Sequence, residues 1–460
     1  MNDGAAAARF RNHAELTGHG RRGLRADALA IATEALAAVD PAAALRRALR
    51  LKGDLLTVSD PRGGDPRVFD LGGRRLFVLG AGKATIGMAA VLDELLGSRI
   101  TDGAVVVKRG QAESLAHIEV LEAAHPVPDE DSLRGGLRLL DIAAAADPGD
   151  LILALVTGGS SALAVAPAEG ISLADKVETN RVLLASGAGI VAINDVRKHL
   201  SRIKGGRLAR VADCEIVNLT VSDVVGDALD YITDLTVADG STFSAAQAVC
   251  ERFCLWDRLP PAVAEHLLRA DPAEETCHRL DGVTSFILAD AGAMCRAAAR
   301  AAGGLGYRSE VLRLDLEGES ADAGRWFAAQ VAEAKSGTAL VAGGEATTTL
   351  PSGAAMTAAG GPSQEGALAG ALELGSGGPR ARASCLLYLD SDGSDGPTDA
   401  AGALVDDTTA AALAVAGMDA SAALATHTAG TALAMTADLA VTGPTGTNVN
   451  DLRIGLVGGR

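Results

Sequence analysis

The chain has 460 residues, 48% of them hydrophobic and 22% charged, and its formal net charge is −17. That length exceeds what one hydrophobic core usually supports, so two domains are expected. No apolar run approaches the roughly 18 residues of a membrane span, and so acidic a balance excludes general nucleic-acid binding, which needs a basic surface; an anionic ligand must then meet a locally basic cleft.

Along the chain, Met1–Asp27 carries Arg9, Arg11, Arg21, Arg22 and Arg25 without an apolar stretch, and it reads as a flexible tail, not a secretory signal. The apolar runs Leu76–Leu79, Ala104–Val107, Leu151–Val156 and Ile216–Val221 read as buried strands between amphipathic or alanine-rich helical segments. That rhythm predicts βαβ units, a doubly wound parallel sheet covered by helices on both faces. It resumes at Ser285–Leu288, Thr338–Ala342, Cys385–Leu389 and Leu452–Val457, so the second half is expected to be α/β as well. A boundary is expected near Phe243–Pro261, where the Pro260-Pro261 pair breaks regular structure. The resulting division is a tail over 1–27, an N-terminal Rossmann-like domain over 28–255 and a C-terminal α/β domain over 256–460. The cysteines at 214, 250, 254, 277, 295 and 385 lack the spacing of a disulfide framework and read as reduced thiols, which places the chain in the cytoplasm.

The first chemical motif is Gly80-Ala81-Gly82-Lys83-Ala84, directly after a strand and leading into the helical stretch Thr85–Leu96. Such a turn aims backbone N–H groups and a helix start at an anion, and Lys83 adds a full charge. It is not a Walker A loop, because Phe77 stands where the first glycine belongs and Ala84 follows the lysine. Nor is it a dinucleotide fingerprint: Thr85 takes the third glycine's place, and the next strand ends in Lys108-Arg109 where an acid is wanted. The second motif, Thr157-Gly158-Gly159-Ser160-Ser161-Ala162-Leu163, also follows a buried strand, and its glycines and hydroxyls suit phosphate oxygens. It lacks the spacing of a nucleophile elbow. In the third, Asn194–Gly206, a helix would put Arg197 with Ser201 and Lys198 with Arg202 on shared faces, with Lys204 near a glycine cap; in an acidic protein this reads as the basic wall of an anion cleft. The fourth, Ser222–Asp227, sits at the end of the strand Ile216–Val221, where Asp223 and Asp227 offer oxygen ligands to magnesium. In the second half follow Gly343-Gly344-Glu345, Gly360–Glu365, the acidic loop Asp390–Ala400 and the polar loop Thr442–Asp451. The acidic loop is not an EF-hand, because its twelfth position is Ala401.

Taken in this order, the segments Gly80–Ala84, His125–Pro128, Thr157–Leu163, Asn194–Gly206, Ser222–Asp227, Gly343–Glu345, Asp392–Gly402 and Thr442–Asp451 resemble the bacterial glycerate 2-kinase family. The C-terminal half of that family is the MOFRL domain, and its members are sometimes labelled hydroxypyruvate reductases. The resemblance implies two α/β domains with an active site in the cleft between them, and phosphorylation of the 2-hydroxyl of D-glycerate, or a related small hydroxy acid, with ATP and Mg2+. It implies that Lys83, Asp223 and Asp395 are catalytic, that Gly80, Gly82, Gly158, Gly159, Ser160 and Ser161 bind nucleotide phosphates, and that Asp223 and Asp227 hold the metal. Asn194, Arg197, Lys198, Lys204 and Glu345 are the implied substrate-binding set. The partners expected are a small hydroxy acid and a nucleotide, with neither nucleic acid nor membrane; a homo-oligomer is left open.

Three departures accompany the resemblance. The family's Gly-Gly-Arg-Asn-Gln-Glu reads Gly360-Gly361-Pro362-Ser363-Gln364-Glu365 here, its Ser-Gly-Pro-Thr is replaced by Thr233-Asp234-Leu235-Thr236, and its Gly-Ser-Asn by Leu288-Ala289-Asp290. A guanidinium lost at Pro362 removes a bidentate partner for carboxylate or phosphate. Two other readings therefore stand beside the kinase: an impaired or repurposed homologue, and an NAD(P)H-dependent hydroxypyruvate reductase.

Overall fold

The computed structural model describes residues 9–223, 235–350, 359–376 and 382–459. Its contacts divide into two units, one running Pro41–Ala289 and the other joining Met1–Asp40 to Asp290–Arg460. In the first unit β1 (Leu49–Lys52), β2 (Leu55–Val58) and β3 (Arg67–Asp70) form a small antiparallel sheet. The main sheet has six parallel strands: β4 (Leu76–Ala81), β5 (Ile100–Lys108), β6 (Glu119–Ala123), β7 (Leu151–Val156), β8 (Glu215–Val221) and β9 (Val283–Ala289), in the order β6-β5-β4-β7-β8-β9. Central β4 and β7 are buried along their whole length, so they appear in the sequence as unbroken apolar runs. From β4 the chain builds toward one edge and from β7 toward the other. The strand order reverses between them, and the crevice at their carboxyl ends is where such sheets bind ligands.

The second unit has a mixed sheet of β10 (Arg308–Arg313), β11 (Thr338–Gly344), β12 (Ser384–Asp390), β13 (Gly402–Asp406), β14 (Leu439–Ala440) and β15 (Asp451–Val457), ordered β10-β11-β15-β12-β13-β14. Here β10 and β11 pair in parallel, and the remaining neighbours are antiparallel. Leu340, Leu386 and Tyr388 on one sheet face pack against Phe327 and Leu368 from the helices Ser320–Glu333 and Pro362–Gly375.

Two expectations about organisation are corrected. The boundary does not fall at 255/256. The helix Phe243–Arg252 and the strand β9 both belong to the first unit, because β9 completes its sheet by pairing with β8. The Pro260-Pro261 pair does fall at a break, between the turn Trp256–Arg258 and the helix Pro261–Arg269, where Pro261 takes the first position and a missing N–H costs nothing, but the break lies inside the first unit. Nor are the described residues of 1–27 a loose tail. Phe10 and Leu16 are buried, and the helix Arg22–Ala38 packs on β12, β15 and the helix Ala291–Gly304. Arg25 is fully buried, with Nε 2.6 Å from Asp406 and Nη2 2.6 Å from Asp438. An arginine that reads as solvated in the sequence is thus a paired core residue, of the kind whose loss of one partner is strongly destabilising.

Candidate active site

At the reversal point the loops after β4 and β7 are joined. The Lys83 N–H donates to the Gly158 carbonyl at 2.9 Å, the Thr157 N–H donates to the Ala81 carbonyl at 3.2 Å, and the Ala84 N–H donates to Thr157 Oγ1 at 3.2 Å. The glycines make this closeness possible. Gly82 has φ +143°, and a Cβ there would lie 2.0 Å from Thr157 Oγ1; Gly159 has φ +88°, and its Cβ would lie 3.0 Å from Lys83 Cγ and 3.1 Å from His125 Nε2. Gly80, Gly82, Gly158, Gly159, Ser160 and Ser161 therefore lie with Lys83 at the carboxyl ends of β4 and β7. Asp223 follows β8 at the same edge of the sheet. Burial pushes its carboxyl above the usual range, and the nearby charge of Lys83 opposes that shift. Asp227 lies outside the described residues.

The basic run departs from its expected geometry. The helix Ile190–His199 ends before Ser201, because Arg202 N–H donates to the Ala166 carbonyl and Ala168 N–H to that of Leu200, drawing the chain into a bridge with Pro167. Gly206 is the N-cap of the following helix Arg207–Val211 and does not end the one before. The cations have different partners. Lys198 forms an ion pair with Asp239 at 2.7 Å in which both side chains are nearly inaccessible, and Asp239 also accepts from the Ser241 hydroxyl. Burial pushes Asp239 up, but hydrogen bonds from Lys198 and Ser241 hold its carboxyl below the usual range. Lys204, fully buried, donates to the Ser161 carbonyl at 2.8 Å and to the Ser161 hydroxyl, tying the basic run to the loop after β7. Arg197 donates through Nε to Asn180 Oδ1 at 3.0 Å and through Nη1 to Asn194 Oδ1 at 3.5 Å.

In the second unit Glu345 is exposed just beyond β11. Asp395 accepts the N–H groups of Ser363 at 3.0 Å and Gln364 at 2.7 Å, so it caps the helix Pro362–Gly375. Burial pushes its carboxyl up to about 6 although those amides oppose the shift. Pro362 opens that helix, where its fixed φ suits the first turn. Asp390 and Asp451 are register partners across β12 and β15; burial and then the charge of Asp451 raise the Asp390 carboxyl, and burial raises that of Asp451 although Arg453 and the Ala346 amide oppose the shift. Arg453 Nη2 lies 3.0 Å from Asp451, while its Nε and Nη1 have no hydrogen-bond partner among the described residues.

Sequence reasoning missed three residues. His125, just past β6, faces Gly159 and Lys83, and only its place in a resembling stretch marked it. Arg453 looks like one polar residue in a strand. Lys176 sits in the polar-looking helix Leu173–Leu184 yet is 2% exposed, and nothing in its spacing shows this.

A doubly wound sheet with two glycine loops, a lysine and a carboxylate at its reversal point defines an α/β enzyme built to handle phosphoryl groups. Residues 27–268 match the family described as Domain of unknown function (DUF4147), and residues 338–451 match the MOFRL family. A glycerate 2-kinase of Pyrococcus horikoshii is 37% identical over 94% of this chain and 97% of its own. A relative from Agrobacterium vitis with a provisional hydroxypyruvate reductase name is 39% identical over 84% of this chain and 100% of its own. The crystal structure of glycerate kinase from Thermotoga maritima superposes with a TM-score of 0.78 at 34% identity, covering 93% of this chain and 97% of that one. The chain belongs to the glycerate kinase family, in which DUF4147 is joined to MOFRL, and it is a phosphotransferase.

Proposed function

We propose that the protein transfers the γ-phosphoryl group of ATP to the 2-hydroxyl of D-glycerate or a closely related small hydroxy acid. The observation that carries this reading is the junction at the carboxyl ends of β4 and β7, where Lys83 is fixed by its backbone to Gly158 and lies within the field of Asp223. Phosphoryl transfer needs mainly positioning and charge neutralisation. Lys83 supplies charge to the transferring group. Gly80, Gly82 and the Gly158–Ser161 loop give phosphate oxygens close access to backbone, and Asp223 orients the attacking hydroxyl or holds a cation. Arg197 and Lys204 face the acid's carboxylate or the phosphates, with Asn194 fixing the arginine.

Magnesium suits this donor set. The ion commonly takes one or two carboxylates beside substrate phosphates, and Asp223 is a carboxylate at a strand end, although no group of three or more such ligands is assembled among the described residues. When bound, it would neutralise charge on the phosphates. The test is an ADP-release screen over C3 to C5 hydroxy acids with MgATP. D-glycerate or a near neighbour should release ADP, and EDTA should abolish the signal. ADP release from none of the acids, with hydroxypyruvate-dependent oxidation of NADH or NADPH in its place, would overturn the reading.

A further inference from the structure

The helix Leu173–Leu184 carries Lys176 on its inner face, 2% exposed, and its ammonium has no hydrogen bond or ion pair among the described residues. One turn on, Asn180 accepts from Arg197. Arg197 acts electrostatically on Lys176, and both act on Lys204, which is itself fastened to Ser161 at the loop after β7. Three cations from three segments are therefore gathered in one nearly dry place. Burying an ammonium without a counter-charge is unfavourable, and adding like charges makes it more so. The remedy used for Lys198, a buried carboxylate at 2.7 Å, is not used for Lys176. A buried cluster of one sign beside a ligand crevice is the arrangement of a site completed by its ligand.

We propose that Lys176 is the third cation, with Arg197 and Lys204, of a buried subsite for an anionic oxygen group carried by the reactants. This rests on reading the β4–β7 edge as a phosphoryl-transfer site and adds to it a residue that contacts ligand. The shared chemistry is a carboxylate or phosphoryl oxyanion, and the source is either the hydroxy acid or the nucleotide. Burial and the charge of Arg197 push the Lys176 ammonium down to about 8, consistent with a group waiting for an anion.

The test is calorimetric binding of inorganic phosphate, D-glycerate and ADP, each alone, to the full chain and to Lys176→Met, Lys176→Gln and Lys176→Arg, with melting curves confirming that each variant folds. The expected result is a loss of at least tenfold in affinity for phosphate and for one of the two reactants in the methionine and glutamine variants, with partial recovery in the arginine variant. Loss on D-glycerate identifies the acid's carboxylate as occupant; loss on ADP identifies a nucleotide phosphate. Affinities within twofold of the parent in a folded variant would overturn the proposal, as would a parent that binds none of the three probes. A parent that binds phosphate through Lys176 but neither D-glycerate nor ADP would keep the subsite while refuting the proposed substrates.

Discussion

Replacing Gly82 with alanine tests the junction that organises the candidate site. The backbone at Gly82 has φ +143°, and the added Cβ would lie 2.0 Å from Thr157 Oγ1 and 2.6 Å from the Thr157 carbonyl oxygen. Neither atom can yield cheaply. The hydroxyl oxygen accepts from the Ala84 N–H and pairs with the Thr85 hydroxyl, both at 3.2 Å, and the carbonyl belongs to the turn that starts the second glycine loop. Backbone strain at such a φ costs about 1–3 kcal/mol, and two disturbed hydrogen bonds add about 1 kcal/mol each. The variant should therefore lose about 3–5 kcal/mol of stability in urea unfolding of the first transition to involve this unit. A shift of about 1 Å at Lys83 should also lower turnover about a hundredfold. An alanine variant within about 1 kcal/mol of the parent and with parental turnover would show that the two loops do not depend on this contact.

Lys83→Ala should leave the melting curve intact and lower kcat by a hundredfold or more, since one charge contact to a transferring group contributes about 3 kcal/mol; near-parental turnover would remove Lys83 from the mechanism. The stability effect of Lys176→Met should depend on pH in a defined direction. The native ammonium lies at about 8 against an ordinary 10.5, so the unfolded chain binds the extra proton between those values and parent stability rises with pH there. Below pH 8 the buried charge costs about 3 kcal/mol, so the methionine variant should be the more stable at pH 7, with the advantage fading by pH 10; a difference that stays constant would contradict the burial of a charged Lys176 beside Arg197 and Lys204. At Pro362 the resembling family carries arginine, so Pro362→Arg should raise kcat/KM for D-glycerate by about ten- to a hundredfold, from about 1.5–3 kcal/mol for a charged bidentate contact, and an unchanged kcat/KM would show that position 362 does not meet the reactants.

The parts of the fold that could be read in the sequence are those buried on both sides. β4, β7 and β12 are continuous apolar runs because both faces are covered, whereas edge strands such as β6 and β10, reading Glu-Val-Leu-Glu-Ala and Arg-Ser-Glu-Val-Leu-Arg, carry no such signal. The run in β9 was legible as a strand but not as a member of the first sheet, because an apolar segment does not name its partner. Glycine loops were legible for a related reason: close approach and positive φ demand glycine, so Gly82 and Gly159 mark the junction in advance. Charged side chains were not. Arg25, Lys176 and Lys198 look alike in composition, yet one is paired with two aspartates, one is buried among cations and one is bound to Asp239, and only tertiary placement distinguishes them.

Phosphorylation of a hydroxy acid at its second carbon is read from the identity of the product. The purified chain with D-glycerate and MgATP should yield 2-phosphoglycerate, resolved by phosphorus NMR, in amounts equal to the ADP released. Formation of 3-phosphoglycerate, or no phosphorylated acid under conditions where ATP binds, would contradict transfer to the 2-hydroxyl.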